Sequence, residues 1–253
     1  MFAAHHFQAN RYEYKYLISD DQAVRMRPLV QAYLVPDEYA VHSPDGSYTI
    51  HSLYLDNAEQ RLCRATLDGL RNRFKIRIRF YDERPESPVF LEIKRRVNDA
   101  VAKERIAVRR AGVPRLLATR DPDPAILWKR EPHSLATLQE FCRLCEALQA
   151  DRGLIVSYRR EAYVSASDNS VRVTFDRAVS AGEFDDQLRV RPLAPLLQPR
   201  INGTIMELKF TDRFPGWMHE LVLQNNLVRQ QMAKYVSCAV ALDRMTKCVL
   251  GAA

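Results

Sequence analysis

Basic and apolar residues alternate along this chain with a period of two. From Arg73 to Phe80, every odd position is Arg or Lys and every even position is Phe or Ile. Successive side chains of a β-strand point to opposite faces of a sheet, so the segment predicts a strand with one basic and one apolar face. A similar alternation of charged and apolar residues recurs in five further segments, at 11–16, 91–94, 103–108, 171–176 and 206–210.

Turn and capping residues divide the chain into predicted elements. Strands are predicted at 11–18, 48–55, 74–81, 89–95, 103–109, 155–163, 171–176, 188–191 and 205–210. The segment Ser19-Asp-Asp-Gln22 has the form of a capping box, which predicts a helix to about Leu34. Another helix is expected from Ser134 to about Asp151, ended by Gly153, and two more at 215–225 and 231–248.

These elements predict an α+β fold with an antiparallel sheet. We expect one domain over residues 1–253 with a helical insert at about 113–152. If the sheet closes into a barrel of about eight strands with helices packed outside, the charged strand faces line the lumen. The alternative is an open sheet with one solvated face. Solvated faces usually mix Thr, Ser, Gln and Asn with charged residues, whereas these faces are nearly all Arg, Lys and Glu.

A basic lumen predicts a polyanion as its occupant. Like charges in a low-dielectric channel raise each other's free energy unless charge of opposite sign lies between them. The formal net charge of +7 over 253 residues agrees with an anionic partner. Four acidic residues lie among the basic ones, and each is either a salt-bridge partner or an oxygen ligand for Mn²⁺ or Mg²⁺; they are Glu13, Glu92, Asp176 and Glu207.

Composition excludes several other classes. A hydrophobic content of 47% and only 8 glycines are unlike disordered or collagen-like chains. No apolar run approaches the roughly 18 residues of a membrane helix, and the N-terminus has no secretory-signal pattern. Five scattered cysteines indicate free thiols in the cytoplasm, and the pair Cys142-x-x-Cys145 is expected to pack in the core. The oligomeric state is left open.

Nine segments in order resemble the VTC domain, the polyphosphate polymerase branch of the CYTH or triphosphate tunnel metalloenzyme superfamily. They are Arg11-Tyr-Glu-Tyr-Lys-Tyr16, Ser52-Leu-Tyr-Leu-Asp-Asn57, Lys75-Ile-Arg-Ile-Arg-Phe-Tyr81, Phe90-Leu-Glu-Ile-Lys94, Lys103-Glu-Arg105, Ser157-Tyr-Arg-Arg-Glu-Ala-Tyr163, Val171-Arg-Val-Thr-Phe-Asp176, Met206-Glu-Leu-Lys-Phe210 and Lys234-Tyr235. The resemblance implies a tunnel that binds a triphosphate or polyphosphate, a divalent metal held by acidic side chains, and transfer of the terminal phosphoryl group of ATP to a growing chain.

The resemblance also assigns roles by position. It implies that the catalytic cations are Arg77, Arg79, Lys15, Lys234 and Arg160. It implies that the substrate contacts are Lys94, Lys103, Arg105, Arg172, Lys209, Arg11, Lys75 and Tyr235. The metal ligands would be Glu207 first, then Glu13, Glu92 and Asp176, with Mn²⁺ or Mg²⁺ as the cofactor.

Two positions depart from the wider pattern. The first strand of the superfamily usually reads Glu-x-Glu-x-Lys, and Arg11 replaces its first Glu, which favours the VTC branch over a pure triphosphatase. VTC relatives often carry a basic residue where this chain has Thr66, and Arg64 or Arg73 would have to replace it.

Three functions follow in order of preference. The first is a polyphosphate polymerase acting on ATP, and the alternatives are a tunnel triphosphatase and a non-catalytic polyphosphate-binding module. Nucleic-acid binding is disfavoured, because single-strand binders interleave aromatic with basic residues, whereas here the aromatics are predicted on the face opposite the charges.

Overall fold

The computed structural model describes residues 11–98, 100–168, 170–185 and 187–250. Its strands are β1 (Arg11–Ile18), β2 (Val35–Pro36), β3 (Tyr48–Asp56), β4 (Asn72–Phe80), β5 (Pro88–Val97), β6 (Ala100–Arg109), β7 (Arg152–Val164), β8 (Val171–Phe184), β9 (Val190–Pro192) and β10 (Thr204–Thr211). Its α-helices are α1 (Asp20–Gln31), α2 (Glu38–Val41), α3 (Arg61–Leu67), α4 (Val113–Thr119), α5 (Pro132–Leu148), α6 (Gly216–Gln224) and α7 (Lys234–Leu250).

All ten strands belong to one antiparallel sheet, as predicted. Eight form a continuous path in the order β1-β10-β8-β7-β3-β4-β5-β6, and the short strands β2 and β9 pair with β7 and β8. The outer strands β1 and β6 approach until Cα atoms lie within 8 Å of each other. Among the described residues, however, no backbone ladder joins these two strands. A barrel closed by hydrogen bonds is therefore not confirmed.

The segment between α6 and α7 lies along the free edge of β1. The backbone nitrogen of Gln230 donates to the carbonyl of Lys15 at 2.8 Å, and Arg229 pairs with Tyr16 as an isolated bridge. The Lys15 ammonium donates to the carbonyl of Met232 at 2.9 Å. These bonds lead the chain past β1 to the concave side of the sheet, where the first turns of α7 lie.

The apolar strand faces are covered by helices on the convex side. Ile76 and Ile78 of β4 are fully buried in a cluster that includes Phe141 of α5. A second cluster packs Met26 of α1 and Met218 of α6 against the strands at the other end of the path. The period of two therefore predicted correctly which strand faces carry the core.

Capping residues account for one correct helix boundary and one wrong one. Ser19 accepts from the backbone nitrogen of Gln22 and Gln22 returns a bond to Ser19, so the capping box is confirmed. Helix α5 ends at Gln149, whose φ of 52° gives the left-handed cap that was expected from Gly153. Gly153 instead lies in β7, where an added Cβ would come within 2.7 Å of the Leu53 side chain.

The cysteine predictions agree with the structure where it describes them. Cys142 and Cys145 are buried in the convex core. None of the four cysteines whose side chains are described forms a disulfide. The side chain of Cys248 lies outside the described part of the chain. No helix within the described ranges is long and apolar enough to cross a membrane.

A bulge in β8 changes which residues face the concave side. Between the pairs Ser157–Ser180 and Arg159–Arg177, β7 advances two residues while β8 advances three. The extra residue coincides with Ala178, which has a positive φ of 51°. Before the bulge the even-numbered Asp176 faces inward. Beyond it the odd-numbered Ala181 does so and packs against α7. The sequence predicted a strand that ends at residue 176, whereas β8 continues to Phe184.

We expect Ala178→Gly to stabilise the protein, because glycine adopts the left-handed conformation that costs an L-residue about 1–2 kcal/mol. Glycine also loses more backbone entropy on folding, and this loss offsets part of the gain. The net increase in the free energy of unfolding should therefore be about 0.5 kcal/mol. Ala102→Gly is the matched control, since Ala102 is also an exposed strand alanine but has no positive φ. It should lose about 0.5–1 kcal/mol. Urea unfolding curves that shift in the same direction for both variants would contradict the role of Ala178.

Candidate functional site

The concave face of the sheet and the start of α7 enclose a cavity of about 1610 Å³. Basic side chains outnumber carboxylates in its wall. The structure brings eleven of the predicted basic residues together there: Lys15, Lys75, Arg77, Arg79, Lys94, Lys103, Arg105, Arg160, Arg172, Lys209 and Lys234. The side chain of Arg11 lies outside the described residues.

Strand register arranges the cavity-facing residues of β3 to β6 in rows that run across the strands. One row places Arg77, Glu92 and Arg105 directly opposite one another on β4, β5 and β6. The next row places Lys75, Lys94 and Lys103 opposite one another on the same strands. Directly opposed like charges destabilise a sheet, by roughly 0.2–1 kcal/mol per pair. This row of three lysines in the cavity wall therefore lowers the stability of the fold.

Glu92 is the carboxylate that compensates the first row. Its side chain is fully buried, 2.6 Å from Arg77 Nη2 and 2.9 Å from Lys103 Nζ, and the guanidinium groups of two further arginines lie within 4 Å. Burial alone would raise the pKa of Glu92, but attraction by these four cations outweighs it and holds the pKa well below its usual range. The low pKa favours the ionised form of Glu92, which lies beneath the cavity wall.

Asp176 has the same role on the other side of the cavity. Arg160 holds it with two bonds of 2.6 and 2.7 Å, and Lys234 Nζ of α7 lies 2.5 Å from its second oxygen. Burial opposes ionisation, yet these cations lower the pKa of Asp176. Asp176 and Glu92 are both fully buried and do not line the cavity. Their geometry favours an ion-pair role for them over the predicted metal ligation.

Glu13 and Glu207 do line the cavity. Lys209 lies between them, 3.1 Å from Glu207 and 3.8 Å from Glu13, and Lys94 bonds Glu13 at 2.7 Å. Burial would raise the pKa values of both carboxyls, but the surrounding lysines lower them strongly. Mg²⁺ and Mn²⁺ are commonly held by one or two carboxylates together with water and substrate phosphates. This pair fits that donor set, although the described residues contain no cluster of three or more protein metal ligands.

Lys75 differs from the other predicted contacts because it has no carboxylate partner among the described residues. The charged groups that act on it most strongly are basic: Lys15 of β1, Lys94 of β5, and Arg73 and Arg77 of its own strand. Burial, with repulsion by these four cations, lowers its pKa to about 7. A phosphate oxygen would provide the missing counter-charge.

Two further predicted contacts already have partners within the protein. The Tyr235 hydroxyl donates to Asp56 at 2.8 Å and its ring stacks on Tyr54, so only the ring faces the cavity. Arg172 bonds Asp37 at 2.6 Å.

The structure also describes Thr66, the position at which VTC relatives often carry a basic residue. Thr66 lines the cavity but donates its hydroxyl to the carbonyl of Leu62. Arg73 lines the cavity as well, whereas Arg64 is exposed and is not among the lining residues. Of the two candidates for the missing cation, Arg73 is therefore the one that reaches the cavity.

The expectation that aromatic side chains avoid the charged face is wrong. Eleven Tyr, Phe and Trp residues line the cavity together with the cations, among them Tyr39, Tyr48, Tyr54, Tyr81, Phe90, Tyr158 and Tyr235. Tyr158 accepts a bond from Arg79 at 3.3 Å, and Lys234 Nζ lies 4.8 Å from the centre of its ring. The signal was present in the sequence, because Tyr158 lies two residues from Arg160 and shares its strand face.

The model of the VTC domain matches residues 10–242, nearly the whole chain. The protein belongs to the VTC domain family. No curated protein sequence matches this VTC domain.

Two solved structures are similar to this chain. One is a candidate adenylate cyclase from Bacillus halodurans, with a TM-score of 0.49 and 11% identity over 88% of this chain and 94% of that one. The other is the Mimivirus capping enzyme triphosphatase, with a TM-score of 0.35 and 9% identity over 85% of this chain and 88% of that one. Both TM-scores are below 0.5, so the family assignment rests on the match to the VTC domain model.

Glu92→Gln should destabilise the protein strongly, because it leaves four cations around a neutral side chain. Removing one partner of a buried ion pair typically costs about 3–5 kcal/mol of unfolding free energy. Glu104→Gln is the matched control, since Glu104 pairs with Arg95 on the opposite face of the same two strands and is partly exposed. It should cost less than about 1 kcal/mol in denaturant titrations. Equal losses for the two variants would contradict the charge-compensating role of Glu92.

Lys75 should take up a proton when tripolyphosphate binds. A lysine with a lowered pKa is partly neutral near pH 7 to 8, and a bound anion favours its protonated form. The affinity should therefore fall as pH rises from 7 to 9. Lys75→Arg keeps the charge at every pH in this range and should show a shallower fall. Calorimetry in buffers of different ionisation enthalpy would measure the protons taken up, and identical uptake by both proteins would contradict this assignment.

Proposed function

We propose that this VTC domain is a metal-dependent polyphosphate polymerase that transfers the terminal phosphoryl group of ATP to a growing polyphosphate chain. The observation that supports it is the continuous cationic wall along β4. Arg73, Lys75, Arg77 and Arg79 all face the cavity, and strand geometry spreads them over about 20 Å. That length exceeds three linked phosphates, so the wall suits a chain better than a single triphosphate.

The arginines and the lysines of the cavity would have different roles in the reaction. Phosphoryl transfer is catalysed mainly by positioning and by neutralising charge on the transferring oxygens. Buried carboxylates hold Arg77 and Arg160, whereas Arg79 donates to the hydroxyls of Ser52 and Tyr158. All three present planar groups that can clamp phosphate oxygens. The lysines supply flexible point charges; we assign Lys15 and Lys234 to the reacting phosphates, and Lys75, Lys94, Lys103 and Lys209 to the chain. Arg11, Arg105 and Arg172 would add contacts to the substrate, with the Tyr235 ring beside them.

Glu207 and Glu13 are the residues that would hold Mn²⁺ or Mg²⁺. A divalent ion bound there would neutralise charge on the phosphate oxygens. Lys15, Lys94, Lys209 and Lys234 now pair with these two carboxylates. Once the carboxylates have another cation, these ammonium groups are available to phosphate. The proposal therefore predicts that metal and phosphate chain strengthen each other's binding.

Incubation of the purified protein with ATP and Mn²⁺ or Mg²⁺ tests the proposed reaction. We expect ADP release together with chains that lengthen on a gel and show internal-phosphate signals by phosphorus NMR. Release of free phosphate alone would replace the polymerase with the triphosphatase. Tight tripolyphosphate binding without turnover would replace it with the binding module.

Arg79→Lys should lower kcat by about 100-fold, because the lysine keeps the charge but loses the forked geometry that clamps phosphate oxygens. Arg95→Lys is the matched control, since Arg95 pairs with Glu104 and Glu140 on the convex face. It should retain wild-type kcat. A wild-type rate for Arg79→Lys would remove Arg79 from the catalytic residues.

A further inference from the structure

Four half-buried aromatic side chains form a connected cluster at one end of the cavity. This aromatic platform consists of Tyr39 of α2, Tyr48 of β3, Tyr81 directly after β4 and Phe90 of β5. The rings of Tyr39 and Tyr81 stack at 4.9 Å with 16° between their planes. Tyr48 lies 5.3 Å from Tyr39, and Phe90 meets Tyr81 edge-on at 5.8 Å. The platform is therefore a continuous aromatic surface.

The platform adjoins two of the arginines to which we assign the clamping of phosphate oxygens. Phe90 is the direct cross-strand partner of Arg79, and Tyr48 is the direct cross-strand partner of Arg160. Tyr81 follows Arg79 by two residues, which separates them by about 7 Å along the strand. A ribose spans a gap of this size. A triphosphate on Arg79 and Arg160 would thus place an attached nucleoside at the platform.

Arg105 joins the platform to the phosphate-binding rows. Its guanidinium lies 3.7 Å from the centre of the Phe90 ring and donates to the Tyr81 hydroxyl at 3.1 Å. Its Nε is buried without a hydrogen-bond partner. A guanidinium plane offers a stacking surface for a base as well as charge for a phosphate.

A phosphate chain gives no reason for this cluster. Inorganic phosphates have no apolar or π surface, so half-buried aromatic rings gain little from contact with them. The other end of the cavity shows the contrast, because there the facing positions of β4 and β5 are Arg73, Lys75, Lys94 and Arg96. The ligand part that matches flat aromatic rings and is joined to a triphosphate is a nucleobase.

We propose that the aromatic platform binds the nucleobase of a nucleoside triphosphate whose phosphates lie on Arg79 and Arg160. This proposal rests on the proposed function for the placement of the triphosphate. The base stacks on the platform, the phosphates point along β4 toward Lys75, and the growing chain occupies that opposite end. Stacking tolerates every base and favours the larger purines. The platform thereby distinguishes a nucleotide donor from an inorganic triphosphate.

Tyr39 is the residue at which the platform can be tested with least damage to the fold. It lies on the four-residue helix α2, outside the sheet, and its hydroxyl makes no hydrogen bond with a described residue. Tyr39→Ala removes the ring, and Tyr39→Phe removes only the hydroxyl. The two variants therefore separate loss of the stacking surface from any effect of the hydroxyl.

The dissociation constants of a non-hydrolysable ATP analogue and of tripolyphosphate should be measured for both variants by calorimetry. Base stacking contributes about 1–3 kcal/mol, so Tyr39→Ala should weaken the ATP analogue by about 10-fold. It should change tripolyphosphate binding by less than about 2-fold, and Tyr39→Phe should match the wild type for both ligands. Equal weakening of both ligands by Tyr39→Ala, or no change in either, would overturn the proposal.

A second measurement on the wild-type protein does not depend on any variant folding. The triphosphate of 2-aminopurine riboside should lose fluorescence on binding, and tripolyphosphate should restore it by displacement. Displaceable binding without quenching would show an unstacked base and refute the platform. If an RNA oligonucleotide without a triphosphate displaces the nucleotide better than tripolyphosphate does, the platform serves RNA and the proposal is wrong. These binding outcomes are independent of the turnover assay, so a triphosphatase could keep the platform and a polymerase could lack it.

Discussion

Compensation of buried positive charge is the constraint on which the rest of this structure depends. A sheet that turns six charged strand faces toward one cavity would repel itself, since neighbouring strands oppose like charges at close distance. Glu92 and Asp176 relieve this repulsion from beneath the wall, each fully buried and each held by arginine and lysine. The neighbouring cations lower the pKa values of both carboxyls, which favours the ionised forms that provide this compensation.

In the row of Lys75, Lys94 and Lys103, carboxylates compensate only part of the positive charge. Lys94 and Lys103 have carboxylate partners, whereas Lys75 has none among the described residues and is repelled by four nearby cations. The cost of that unpaired charge falls on the free protein and is recovered when an anion binds. The same logic explains why Arg77 and Arg160 are tightly anchored: an arginine whose position is fixed by a buried carboxylate loses little freedom when it meets a phosphate.

Helix α7 and the β8 bulge turn an open curved sheet into an enclosed site. Lys234 reaches both Asp176 and Glu207 from the start of α7, so one side chain ties the helix to two strands. Before the bulge at Ala178, even-numbered residues of β8 face inward, and beyond it odd-numbered residues do. Ala181 therefore packs against α7. Aromatic residues at inward positions complete the wall, and they give its two ends different chemistry along β4 and β5.

The alternation of charged and apolar residues determined by itself that this protein would have one basic and one apolar face on its strands, and the nine motifs determined its family. Period two assigns each residue of one strand to a face, which is why the core and the cavity-facing cations could be predicted. It does not state which residues of different strands stand opposite one another. Register, the bulge and the entry of α7 decided that Glu92 and Asp176 lie beneath the wall, that Lys75 lacks a partner, and that aromatic rings lie beside Arg79. Those are contacts between residues far apart in the chain, and only the tertiary structure sets them.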